Sequence, residues 1–112
     1  MKKSEIKFVV ELDKENIPEK IMWDADEKES PGLTETKSIS LSLWDHENKN
    51  TMRIDLWNKE MTVDEMKKFF HQTLLTMADS FERATGEANI SEDLRDYCYH
   101  FADKMNILPP LS

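Results

Sequence analysis

The first half of the chain alternates. Residues 5–12, EIKFVVEL, set Ile6, Phe8, Val10 and Leu12 against Glu5, Lys7, Val9 and Glu11, the two-residue period of a strand. DKEN then signals a turn. Residues 19–25, EKIMWDA, alternate again with Ile21, Trp23 and Ala25 on one face, and Pro18 stands at the strand's start, where a missing N–H is tolerated. Residues 26–36, DEKESPGLTET, carry charge, Pro and Gly without apolar rhythm and read as the longest and most mobile loop. Residues 37–44, KSISLSLW, point Ile39, Leu41 and Leu43 one way and Ser38, Ser40, Ser42 and Trp44 the other. Residues 51–57, TMRIDLW, point Met52, Ile54 and Leu56 inward and Thr51, Arg53, Asp55 and Trp57 outward. Such strict alternation favours an antiparallel sheet with one wetter face.

The period then lengthens. Val63, Met66, Phe70, Leu74, Met77, Phe81 and Ala84 recur at three- and four-residue steps and predict a helix with one broad apolar face. Thr62 and Glu65 have the spacing of a capping box, and Met61 and Met66 that of a hydrophobic staple. Asp64 and Glu65 suit the positive end of the helix dipole, and Gly86 suits the left-handed position after the last turn. Ile90, Leu94, Tyr97, Cys98, Phe101, Ala102 and Met105 predict a second helix that begins near 89–91 and is stopped by Pro109 and Pro110. The expectation is a single α+β domain over 1–112. A four-stranded antiparallel meander (1–58) precedes a helical hairpin (59–112) packed on one face of it.

Charge narrows the function. The net charge of −8 lacks the basic footprint of a nucleic-acid binder and the Lys/Arg clusters that dock on anionic lipid. It leaves a protein partner. The lone cysteine, Cys98, cannot form an internal disulfide and suits a reducing compartment. The N-terminus lacks the apolar core of a signal peptide, and no stretch reaches the roughly 18 apolar residues of a membrane span. The expectation is a cytoplasmic protein with no direct membrane insertion.

Catalytic chemistry finds little support. His71 falls about 100° from Phe70 on the helical wheel, off the expected core face, with no orienting partner or nucleophile nearby in sequence. Leu75 and Ala78 lie beside it, so His71 and Leu75 form a candidate contact surface. His46, His71 and His100 are scattered, no H-x-x-x-H or C-x-x-C spacing occurs, and DADEKE lacks the glycine and terminal glutamate of a calcium loop, so no metal is expected. With Gly32 and Gly86 as its only glycines, the chain has no glycine-rich phosphate loop, and no cofactor is expected. Cys98, on the apolar face of the second helix, reads as core. The outward sheet face is the best site: Trp44, Arg53 and Trp57 are residue types enriched at binding hot spots, with small serines between them. Cross-strand pairing on a solvated face is the plain alternative.

MKKSEIKF, NTMRIDLW and DEMKKFFHQTLLTMADSFERATG together resemble the gliding motility protein GldC family of the Bacteroidota, most strongly from Asn50 to Gly86. The resemblance implies a cytoplasmic accessory factor of gliding, a movement linked to the type IX secretion machinery. It implies no enzymatic activity and no cofactor, and it supplies no active site to carry over. The expected role is a non-enzymatic interaction protein contacting a component of the gliding machinery. The alternative is a holdase chaperone for exported clients similar to SecB, suggested by the order of four strands and two helices, the acidity and the seven methionines. For either role an exposed edge strand or the Leu75 face offers a route to a homo-oligomer.

Overall fold

Five strands form in place of the four expected. The computed structural model describes residues 2–107 and divides the chain into two compact units, Met1–Met61 and Thr62–Ser112. In the first unit β1 (Ile6–Leu12), β2 (Pro18–Ala25) and β3 (Thr34–Thr36) make an antiparallel sheet in that order. β4 (Ser38–Trp44) and β5 (Thr51–Trp57) make a separate antiparallel pair. The continuous four-stranded meander is therefore corrected to sheets of three and two strands. The chain breaks its ladder at Lys37, between β3 and β4. β3 escapes hydrophobic patterning because its residues are Thr34, Glu35 and Thr36; two threonines on the face of Trp23 and Ile21 give β-branched strand formers but no apolar signal.

The core of this unit follows the alternation only in part: Ile21 and Ile39 are buried, whereas Leu43, Met52 and Ile54, expected to point inward, stay exposed on a two-stranded ribbon that leaves much of that face uncovered. Ile21 is fully buried, opposite Val10 on β1 and Thr36 on β3. The segment read as a mobile loop closes on Lys28. The Lys28 ammonium lies 4.7 Å from the centre of the Trp23 ring and donates to Thr34 Oγ1 (2.6 Å) and to the carbonyls of Gly32 and Trp23. The β1–β2 turn is organised by Asp13. Its carboxylate accepts the N–H groups of Glu15 and Ile17 and pairs with Lys59, just past β5. These bonds, the Lys59 contact first, hold the Asp13 pKa down at about 2.

The second unit is a helical hairpin. α1 (Val63–Thr85) starts on the expected capping box, with Thr62 and Glu65 each accepting from the other's backbone N–H. It ends at Gly86, which has φ +76° and donates its N–H to Glu82 O (2.8 Å). Glycine is favoured there because an L side chain would strain this left-handed backbone. α2 (Ala88–Lys104) ends in a Schellman motif. Asn106 takes φ +56°, its N–H reaches Asp103 O, and Ile107 N–H reaches Ala102 O. The helix thus stops before the prolines expected to stop it; Pro109 and Pro110 lie outside the described residues.

On α1 the seam between the helices is not the expected apolar stripe, whereas on α2 it includes Cys98 and Ala102, as expected. It is built from His71 and Ala78 on α1 and Ser91, Cys98 and Ala102 on α2, all buried. These side chains are mostly small, which lets two helix backbones approach closely. Within the hairpin, Val63, Phe70, Met77 and Phe81 stay exposed beside the seam, as do Ile90, Leu94 and Tyr97 on α2. Arg95 locks the seam's rim. It reaches Asp79 and Glu82 on α1 at 2.8 Å each and Glu92 on its own helix at 2.6 Å.

Candidate functional site

The outward face of the β4–β5 ribbon is set by its register. Ser38 faces Trp57, Ser40 faces Asp55, Ser42 faces Arg53 and Trp44 faces Thr51, so all eight side chains share one side. The two tryptophans are not neighbours. Trp44 stands at the turn end and Trp57 at the far end, six residues apart along the ladder, roughly 20 Å at ~3.4 Å per residue. They are 69% and 53% exposed.

The polar residues between them are mutually engaged. Arg53 donates from Nη2 and Nε to Asp55 and reaches across to Ser40 and Ser42. Ser40 Oγ also donates to Asp55 Oδ1 (2.8 Å). The Asp55 carboxylate raises the Arg53 pKa, and Arg53, then Ser40, lowers that of Asp55. Arg53 is thereby spent within the ribbon, and it braces the face for Trp44 and Trp57.

His71 and Leu75 sit elsewhere than expected. His71 is 3% exposed and stacks on Phe101 of α2, with ring centres 6.1 Å apart and planes at 22°. Leu75, one turn on, is half-buried. The wheel placed both off the core because it was centred on the large apolar residues, whereas the helix–helix contact lies a quarter turn away. For His71 the surface position is corrected accordingly: its ring belongs to the hairpin's own packing. Cys98 is 2% exposed, and burial pushes its thiol pKa up, which leaves it a poor nucleophile.

Open grooves occur among the described residues, and two of them are large and apolar. One, about 330 Å³, lies in the sheet unit and includes Phe8, Trp23, Ile39 and Leu41. The other, about 400 Å³, lies on the hairpin beside Val63, Met66, Lys67, Phe70 and Phe101. Neither gathers the convergent titratable groups of an active site. Among the described residues no group of three His, Cys, Asp or Glu side chains is placed to hold a metal ion, and no helix is long and apolar enough to cross a membrane.

Residues 18–107 match the model of a family described as gliding motility-associated protein GldC-like. The match takes in everything from β2 to the end of α2, the two tryptophans included, and leaves β1 outside. No curated protein and no solved structure matches the chain.

Proposed function

The chain belongs to the GldC-like family of gliding motility-associated proteins, and from that premise we propose that it is a non-enzymatic, cytoplasmic accessory protein docking on a protein of the gliding and type IX secretion machinery. The observation that carries the reading is the outward face of β4–β5. Two tryptophans flank a polar patch whose groups already satisfy one another, so the partner meets large exposed aromatic surface over a braced ribbon. Exposed tryptophan is the residue type that contributes most on burial at interfaces.

The test is cross-linked affinity capture from a gliding host, with the wild-type chain and the Trp44→Ala, Trp57→Ala variant. The expected result is one or two motility or secretion components at fixed ratio with the wild type, and their loss with the double variant. Circular dichroism and thermal midpoint should stay unchanged, because both side chains point away from the core. Retention of the same partners by the double variant would reject the face. Capture of many unrelated unfolded chains would favour the holdase reading.

A further inference from the structure

β1 is an edge strand. Its one ladder is with β2, and among the described residues its other edge meets no strand. Such an edge invites pairing, and proteins usually guard it with charge. β1 carries two charges on its polar face, Lys7 and Glu11, and neither makes an ion pair among the described residues. They have opposite sign and stand symmetrically about Val9.

The backbone phase is fixed. Asp26 N donates to Glu5 O (3.1 Å), so Glu5 and Asp26 form a hydrogen-bonded pair. By the alternation of an antiparallel ladder, Glu5, Lys7, Val9 and Glu11 turn their peptide groups toward β2. Ile6, Phe8, Val10 and Leu12 turn theirs to the free edge.

We propose that this edge docks on the same edge of a second copy, antiparallel, about a two-fold axis at Val9. Phe8 then exchanges backbone hydrogen bonds with the partner's Val10, and Ile6 with the partner's Leu12; all four have outward peptide groups. Lys7 stands opposite the partner's Glu11 at a non-hydrogen-bonded position, where facing side chains come closest. Symmetry makes that ion pair twice, as an isologous interface requires. The strand reads I-K-F-V-V-E-L, a near palindrome in chemical character: apolar against apolar, plus against minus, Val9 against itself. Neighbouring registers lack this. A shift of two residues one way sets Glu5 against the partner's Glu11; the other way sets Val9 against it. The product joins two three-stranded sheets into one of six and continues the Phe8–Val10 apolar face across the axis. β1 precedes the family match, so the family assignment does not supply this device.

The test uses the full chain and its charge variants, with mass measured by sedimentation equilibrium. The wild type is expected as a dimer. Lys7→Glu sets like charges opposite each other at both positions, and so does Glu11→Lys. Each should weaken the dimer by roughly tenfold or more. The Lys7→Glu, Glu11→Lys double variant should restore it, and mixing the two single variants should restore it as a heterodimer, which also shows that each still folds. Val9→Cys should cross-link across the axis under mild oxidation, while Cys98 is buried and stays out of the reaction. A chain that remains monomeric at its highest soluble concentration overturns the proposal. So does a dimer indifferent to the charge swaps, or one that fails to cross-link at Val9→Cys.

Discussion

The two units bury different kinds of side chain. The sheet unit closes around large aliphatics: Ile21 is completely enclosed and Ile39 is 7% exposed. The hairpin closes around Ala78, Ala102, Cys98, Ser91 and one imidazole. Geometry accounts for the difference. A sheet face offers side chains a broad surface on which bulk is covered by neighbouring strands. Two helices in close contact instead pack through a narrow line where bulk would hold them apart. Ser91 fits that line because its hydroxyl is satisfied within its own helix, donating to Glu87 O at 2.8 Å. The large apolar residues of α1 lie beside the line, so within the hairpin the apolar stripe and the seam are adjacent but different faces.

That contrast can be broken most strongly in the seam. Ala78 is fully buried between the helices, so Ala78→Leu adds bulk where none fits. Unfolding stability should fall by about 1–3 kcal/mol, measured by chemical denaturation. A fall of less than about 0.5 kcal/mol, the scale of a neutral surface change, would mean the seam is loose.

A smaller effect, confined to acid, belongs to the sheet unit. Asp13 titrates near pH 2 in the folded chain, against an unfolded value of about 3.9. Its contribution is therefore complete above about pH 4 and is lost as pH falls through about 2. Lys59→Met should move the Asp13 carboxyl titration up toward the unfolded value, as read by NMR, and Asp13→Asn should flatten the thermal midpoint between pH 4 and pH 2. An unchanged profile in Asp13→Asn would show that the turn contributes nothing to acid sensitivity.

The smallest effect sharpens the comparison from the other side. Val63 has the phase of the apolar stripe but is 72% exposed. Val63→Ser should change stability by no more than about 0.5 kcal/mol. A loss comparable to that of Ala78→Leu would show that stripe and seam are one core.

Strand faces were legible because a period of two leaves only two choices. The β4–β5 register puts Ile39, Leu41 and Leu43 on the side of Met52, Ile54 and Leu56 and Trp44 on the other, as the alternation predicts, but not how far that side is covered: Ile39 is buried while Leu43, Met52 and Ile54 stay exposed. The caps of α1 were legible for a related reason: Thr62, Glu65 and Gly86 act within one turn of the backbone, with no help from distant residues. β3 was hidden because Thr34–Thr36 pairs with β2 without an apolar code. The role of Arg53 was hidden because two of its partners, Ser40 and Ser42, lie on the neighbouring strand, beyond Asp55 on its own.

The amino-acid sequence by itself determined much of the local order of this protein: the extension of β1, β2, β4 and β5, the two helices, and where α1 begins and ends. Its family was also readable there. Tertiary structure decided which helix face is the inside. A helical wheel ranks faces by apolar content, whereas two helices in contact select the face that permits close approach, and in α1 that choice enclosed His71 and left Phe70 exposed. It likewise decided how the strands divide into sheets, since pairing between β2 and β3 is a contact between distant residues that no local pattern encodes.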